Sequence, residues 1–232
     1  MSAPINNNST WIIVPAYNES TTIQKVVGDL LGYGYNIVVV DDGSNKSLAP
    51  QLKNFTSIYF IRHKVNMGQG AALQTGISFA LQKGANWLIT FDADGQHSST
   101  DISTLLTPLQ SGSTDIVLGS RFLTDGKHNA GPFRRLALHT GRWINFFLTG
   151  LYLSDAHNGL RAMNRMAAQK IDLKENRMAH ATEILFAIKE HHLKYVEVPV
   201  TITYTDYSKS KGQSVFNSIR IFFDLVLHKL FE

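Results

Sequence analysis

Asp92 and Asp94, followed by Gln96, stand at the carboxyl end of the apolar run Trp87–Phe91. Two carboxylates in an Asp-x-Asp frame can share a hard divalent cation such as Mg²⁺ or Mn²⁺, which keeps several waters and takes its other ligands from substrate phosphates. That chemistry points to a donor carrying a diphosphate. Three more polar clusters follow apolar runs: Pro15-Ala16-Tyr17-Asn18-Glu19, Asp41-Asp42-Gly43-Ser44 and Gly119-Ser120-Arg121. Alone, Asp-Asp-Gly-Ser reads as a turn, and an acid pair after a strand reads as a helix cap in a solvated loop. Four such clusters at strand ends converge on the edge where open α/β sheets bind ligands.

The elements that must carry these clusters are legible as alternating patterns. Strand-like runs recur at Trp11–Pro15, Ile37–Val40, Ile58–Ile61, Trp87–Phe91, Ile116–Leu118 and Tyr195–Ile202, most of them separated by helix-period stretches. This alternation argues for βαβ units and a mostly parallel sheet. Ser20 or Thr21 can cap a helix with apolar positions Ile23, Val26, Val27, Leu30 and Leu31, ending at Gly32. Another helix follows Gly70. Gly68-Gln69-Gly70 lacks the third glycine of a dinucleotide fingerprint and follows the third strand, so Gly68 and Gly70 read as turn residues.

Composition excludes several classes. The 232 residues are 44% hydrophobic and 17% charged, which suits one sizeable α/β domain. No cysteine is present, which removes disulfide frameworks and thiolate-bound zinc and fits a reducing compartment. A net charge of +4 suits anionic ligands or an anionic membrane face. Neither an aromatic RNA-binding pattern nor a zinc-finger spacing occurs, so no nucleic-acid partner is expected. His157, His191 and His192 lack a partner at zinc spacing, while His97 is placed to approach the metal from behind its ligands. Residues 1–10 read as a frayed polar tail, and no run reaches the ~20 apolar residues that span a bilayer, so a soluble or peripheral protein is expected.

Two later segments are amphipathic. Phe133–Leu153 mixes Arg134, Arg135, His139 and Arg142 with Trp143, Phe146, Phe147, Leu148, Leu151 and Tyr152. Residues 215–232 place Phe216, Ile219, Phe223, Val226, Leu227 and Leu230 at helical spacing. Each can bury its apolar side within the protein or lie on a membrane.

The chain resembles family 2 glycosyltransferases of the GT-A fold, particularly the dolichyl/polyprenyl-phosphate sugar synthases. The resemblance covers roughly residues 10–215 and rests on VPAYNE, VVVDDGS, NMGQGAALQTGISFA, FDADGQH, LGSRF, DAHNGLRAMNR, and EVPV followed by KGQS. It implies an α/β GT-A domain over residues 11–214: a Rossmann-like, mostly parallel sheet flanked by helices, followed by a C-terminal amphipathic helix. It also implies that Pro15, Tyr17 and Glu19 hold the nucleoside, with Val40 and Asp42 on base and ribose. Asp92, Ala93 and Asp94 would border the diphosphate through Mg²⁺ or Mn²⁺, with Gln96 a neutral oxygen ligand. Gln69 stands where the family commonly has Lys. Arg121 and Arg135 correspond to acceptor-phosphate arginines, and Asp155, Asn158, Gly159 and Arg161 to a segment shaping the sugar and acceptor pocket. Lys209 and Lys211 fall in a loop over the donor diphosphate, where the family usually has Arg.

Asp94, Arg121, Asp155 and Glu183 are the candidate catalytic residues. The reading is a metal-dependent, inverting hexosyltransferase moving a sugar from a nucleoside-diphosphate sugar to a polyprenyl phosphate. It is expected at the cytoplasmic face of a membrane, bound to the surface or to a small membrane protein. The C-terminal helix is an alternative route to a homo-oligomer. The nearest alternative acts on a saccharide hydroxyl in surface polysaccharide or glycan assembly, with Glu183 or Asp155 as base. A nucleotidyltransferase would start with a Gly-rich pyrophosphate loop, which is absent after Trp11–Pro15. A noncatalytic adaptor would not need the Asp92, Asp94 and Gln96 set.

Overall fold

Seven strands form one sheet: β1 (Thr10–Ala16), β2 (Asn36–Asp41), β3 (Ile58–Arg62), β4 (Trp87–Thr90), β5 (Ile116–Ser120), β6 (Arg161–Asn164) and β7 (Tyr195–Pro199). Their spatial order is β3-β2-β1-β4-β6-β5-β7. The structure, a computed structural model, describes residues 7–123, 140, 142, 143, 145–147, 149–174 and 180–203. Among the described residues the helices are α1 (Ile23–Leu31), α2 (Ala49–Leu52), α3 (Gln69–Gln82), α4 (Asp101–Gln110), α5 (Arg165–Lys170) and α6 (His180–Glu190). The described residues between 140 and 149 are also helical. Arg135, Lys209, Lys211 and the C-terminal amphipathic stretch 215–232 lie outside the described residues.

Period-2 alternation builds the core. Along β1, Ile12, Val14 and Ala16 enter one apolar layer and Trp11 and Ile13 the other; along β2, Ile37 and Val39 oppose Val38 and Val40 in the same way. Both faces of the sheet are thus covered, as βαβ connections require. Fully burying one Ile or Val side chain contributes about 1.5–3 kcal/mol.

β1 pairs in parallel with β2 and β4, so the chain winds outward from β1 in both directions. The crevice beyond the ends of β1 and β4 is where such a sheet receives a ligand. It is framed by the loops that carry Tyr17 and Glu19 on one side and Asp92 and Asp94 on the other.

Five expectations change. β6, which sequence periodicity did not pick out, is antiparallel to both β4 and β5, with Leu88 opposite Met163 and Val117 opposite Ala162. The residue before α1 is Thr22, and no side chain caps that helix. Gly70 lies inside α3, whose N-cap is Gly68 with φ of 98°. Within the expected tail, Asn7–Ser9 form a 3-10 turn, and the Asn36 side-chain amide donates to the Asn8 carbonyl at 2.9 Å. The last strand stops at Pro199; beyond it, Thr203 N–H donates to the Gln96 carbonyl at 2.8 Å, pinning the loop after β4.

Candidate active site

The four loops at the carboxyl edge are bonded to one another in sequence. Asn18, with φ of 57°, donates its N–H to Ser44 Oγ at 2.9 Å, and its side-chain carbonyl accepts from Asn45 N–H at 3.0 Å. Those bonds join the first loop to the second. Gly43 has φ of +64°, and a Cβ there would lie 2.3 Å from the Val65 carbonyl carbon, so the third loop packs on bare backbone. Asp42 accepts from Met67 N–H at 2.9 Å and Gly68 N–H at 2.7 Å, and its Oδ1 lies 2.8 Å from His63 Nδ1. His63 Nε2 in turn meets Thr75 Oγ1 at 2.9 Å.

Two bonds then reach the Asp-x-Asp loop. Thr22 Oγ1 lies 2.7 Å from the Ala93 carbonyl and 3.1 Å from Glu19 Oε2, so its single proton ties the first loop to the fourth. Gln69, the first residue of α3, donates from Nε2 to Asp92 Oδ1 at 2.9 Å. Where the resembled family commonly has a cation, this chain has a neutral amide bonded to an acid.

Asp92 and Asp94 sit in contrasting electrostatic settings. Burial alone pushes the Asp92 carboxyl up, but the hydrogen bond from His97 and the charges of His97, His180 and Arg161 outweigh it and hold it below the usual carboxylate range. His97 Nε2 lies 3.2 Å from Asp92 Oδ2. Asp94 goes the other way: burial, then the neighbouring Asp92 charge and Glu19, raise it, against the lowering effects of the Gln96 amide bond and His97. An ionised pair of this kind repels itself. A divalent cation relieves that repulsion, and the oxygen donors Asp92 and Asp94 fit Mg²⁺ or Mn²⁺. Among the described residues no cluster of three or more His, Cys, Asp or Glu is arranged to hold a metal. Gln96 contributes its backbone here, donating N–H to Asp94 Oδ1 at 3.0 Å.

Gly159 makes room for Asp92. A Cβ at residue 159 would fall 2.1 Å from Asp92 Oδ2, and Thr90 Oγ1 fixes this approach by donating to the Gly159 carbonyl at 2.6 Å. Arg161, opposite Thr90 across the β4–β6 ladder, is buried, and desolvation lowers its guanidinium pKa to about 10 against the opposing charges of Asp92 and Asp155.

At the next strand end Arg121 and Asp155 form a side-on pair, Nε to Oδ2 at 2.8 Å and Nη2 to Oδ1 at 2.9 Å, with Arg121 N–H on Oδ2 at 3.1 Å. Glu197 of β7 anchors that turn. It accepts from Ser154 N–H at 2.9 Å, Ser154 Oγ at 2.8 Å and Asp155 N–H at 3.1 Å. Burial opposes the ionised Asp155, but the Arg121 hydrogen bonds and charge, with help from Asn158, bring its pKa below the usual carboxylate range.

A depressed carboxyl pKa contributes stability that is present above the unfolded value, near ~3.9, and is lost as pH falls through the lower folded value. Asp155→Asn is therefore expected to lower unfolding free energy by about 2 kcal/mol at neutral pH. The gap from wild type should shrink in strong acid, below the ordinary carboxylate range. Urea midpoints across that window check this, and a gap independent of pH would contradict it.

The expected nucleoside contacts are unevenly placed. Tyr17 is 42% exposed at the crevice and can offer its ring face, whereas Val40 is fully buried in the core and Pro15 is buried within β1. Val40 therefore has no side-chain surface to give a base. The Asp42 side chain is 3% exposed and is bonded to His63 and the amides of residues 67 and 68, so it braces the third loop. Glu19 and Ala93 meet at Thr22. Glu183, in the first turn of α6, accepts from Lys174 N–H through Oε1 at 3.0 Å. Sequence reasoning missed Thr22, His63 and Glu197 as bracing residues. Only Glu197 carried a signal, as the acid of EVPV beside three apolar neighbours.

A sheet covered on both faces thus gathers paired carboxylates, an exposed tyrosine and an arginine at one edge. Residues 11–172 match the family Glycosyl transferase family 2, and the chain belongs to that family. Glucosyl-3-phosphoglycerate synthase from Mycobacterium tuberculosis, crystallised with Mn²⁺, UDP and phosphoglyceric acid, shares the fold with a TM-score of 0.64 at 14% identity, covering 88% of this chain and 74% of that one. Among sequence relatives, a UDP-N-acetylglucosamine–dolichyl-phosphate N-acetylglucosaminyltransferase of Methanococcus voltae is 34% identical over 95% of this chain and 96% of its own length. The polyprenol monophosphomannose synthase of Mycolicibacterium smegmatis is 31% identical, over 87% of this chain and 80% of its own. An uncharacterised protein of Methanocaldococcus jannaschii is 37% identical, with 98% and 95% covered.

Proposed function

We propose that this glycosyltransferase moves a sugar from a nucleoside-diphosphate sugar to a polyprenyl phosphate, with inversion at the anomeric carbon and with Mg²⁺ or Mn²⁺ held by Asp92 and Asp94. The observation that carries the choice of acceptor is the state of the two candidate bases. Asp155 is locked side-on to Arg121 with a depressed pKa, and Glu183 has Oε1 committed to the Lys174 amide. Asp155, stabilised in its charged form by Arg121, is a poor proton acceptor. A sugar hydroxyl needs such an acceptor, whereas a phosphate oxygen is already anionic at neutral pH.

The lipid phosphate oxygen forms a bond to the anomeric carbon as the bond from that carbon to the diphosphate oxygen breaks, and the nucleoside diphosphate leaves. A single displacement inverts the centre. Asp92 and Asp94 would hold the cation, which when bound would supply Lewis acidity to the leaving diphosphate. Asp94 and Asp92 position the diphosphate, and Tyr17 and Glu19 border the nucleoside.

The lipid end of the acceptor suits a nearby surface. Trp143, Phe146, Phe147 and Tyr152 contact one another ring to ring, and Phe147 is 79% exposed. Exposed contiguous aromatics mark an apolar partner, and this reading places the protein against the cytoplasmic face of a membrane. Among the described residues no helix is long and apolar enough to cross one.

Glu183→Gln separates this from the hydroxyl-acceptor alternative. With polyprenyl phosphate in liposomes, the variant should co-float with the vesicles and transfer sugar within about threefold of wild type. A drop beyond ~100-fold would mark a true base and overturn the phosphate reading.

A further inference from the structure

Arg121 already has its charge matched by Asp155, which leaves open what meets the acceptor's phosphate. Arg142 differs from Arg121 in its pairing. Its Nε–H donates to the Ser154 carbonyl at 3.1 Å, and among the described residues it has no carboxylate partner and no acceptor on Nη1 or Nη2. Among the described residues, four N–H donors of its guanidinium therefore meet no carboxylate.

The position is built from both sides. Arg142 Cζ lies 5.5 Å and Arg121 Cζ 5.4 Å from the centroid of the same Phe122 ring, so one aromatic side chain bears two guanidinium groups. Ser154, which holds Arg142 through its carbonyl, is fixed by Glu197 through its amide and hydroxyl, and the adjoining Asp155 holds Arg121. One turn therefore sets both arginines. Trp143, directly after Arg142, belongs to the exposed aromatic cluster. Fixed cation and apolar surface adjoin, as a ligand with an anionic head and a hydrocarbon tail requires.

We infer that Arg142 supplies positive charge that binds the phosphate of a prenyl phosphate acceptor, with Arg121 held beside it by Asp155 as the partner across Phe122. This rests on the acceptor class proposed above. Arg offers a planar fork to phosphate oxygens, and a charge-assisted contact of this kind corresponds to a ~10–100-fold change in affinity.

The test compares binding of farnesyl phosphate, farnesol and inorganic phosphate by titration calorimetry, together with steady-state transfer. Wild type should prefer farnesyl phosphate to farnesol. Arg142→Gln should erase most of that preference and raise the acceptor KM ~10–100-fold, leaving the donor KM and the melting temperature unchanged. Arg142→Lys, which keeps the charge, should restore much of it. Unaltered farnesyl phosphate binding in Arg142→Gln would overturn the assignment, as would a Lys variant as weak as the Gln variant. Competition by inorganic phosphate with no gain from the farnesyl tail would reduce the site to a free-anion site and also overturn it. Arg142-dependent farnesyl phosphate binding without any sugar transfer would instead remove the proposed acceptor reaction and leave the binding site standing.

Discussion

Asp94→Asn is expected to lower sugar transfer by at least ~10²–10³-fold, the loss seen when one preorganised stabiliser of transition-state charge is removed. The fold should survive. Asn keeps a carbonyl oxygen to accept the Gln96 N–H, which sits at 3.0 Å in the native protein. Stability should hold or rise, because the Asp94 carboxyl is raised by burial and by the Asp92 charge. A raised carboxyl pKa means that the ionised form costs stability at pH above the unfolded value, and the neutral amide removes that cost. Added Mn²⁺ should raise the melting temperature of the wild type and not of the variant, because a ligand that binds only the native state stabilises it. Transfer within about threefold of wild type would remove Asp94 from the reaction.

Gly159→Ala is expected to cost ~10–100-fold in transfer through a residue that need touch no substrate, the range for losing a partner that orients a metal ligand. The new methyl would stand 2.1 Å from Asp92 Oδ2 and 2.7 Å from its Cγ. Something must move. The carbonyl of residue 159 is held by Thr90, whereas the Asp92 side chain is 26% exposed and can swing toward the crevice. Doing so would break its contacts with Gln69 and His97. The variant should therefore fold and need more Mg²⁺ or Mn²⁺ for half-maximal activity. An unchanged metal midpoint with full activity would show that Asp92 does not depend on this approach.

Much of the scaffold was readable because β1 and β2 alternate cleanly and their side chains bury on both faces. The clusters at the strand ends were readable because turn-forming Asp, Gly and Ser follow apolar runs, and the fold brings all four loops to one edge. β6 was not readable: four residues, Arg-Ala-Met-Asn, carry no period, and they extend only because β4 and β5 offer ladders on either side. The fate of individual carboxylates was equally hidden. Asp42 and Asp155 read as site acids, yet one is bonded to backbone amides from a loop 25 residues on and the other is bound to an arginine 34 residues back. Such pairings are set by tertiary packing. Gln69 was visible only as a departure from the family pattern, and its bond to Asp92 supplies a reason for an amide at that position.

The most direct test incubates the purified protein with a panel of labelled UDP, GDP, CDP and dTDP sugars and either polyprenyl phosphate or polyprenol, with Mg²⁺ or Mn²⁺ and with chelator. The account predicts that one donor yields a labelled glycolipid from polyprenyl phosphate alone, with inverted anomeric configuration, and that chelator abolishes it. Transfer to polyprenol or to a saccharide hydroxyl in preference to polyprenyl phosphate, or transfer unaffected by chelator, would contradict it.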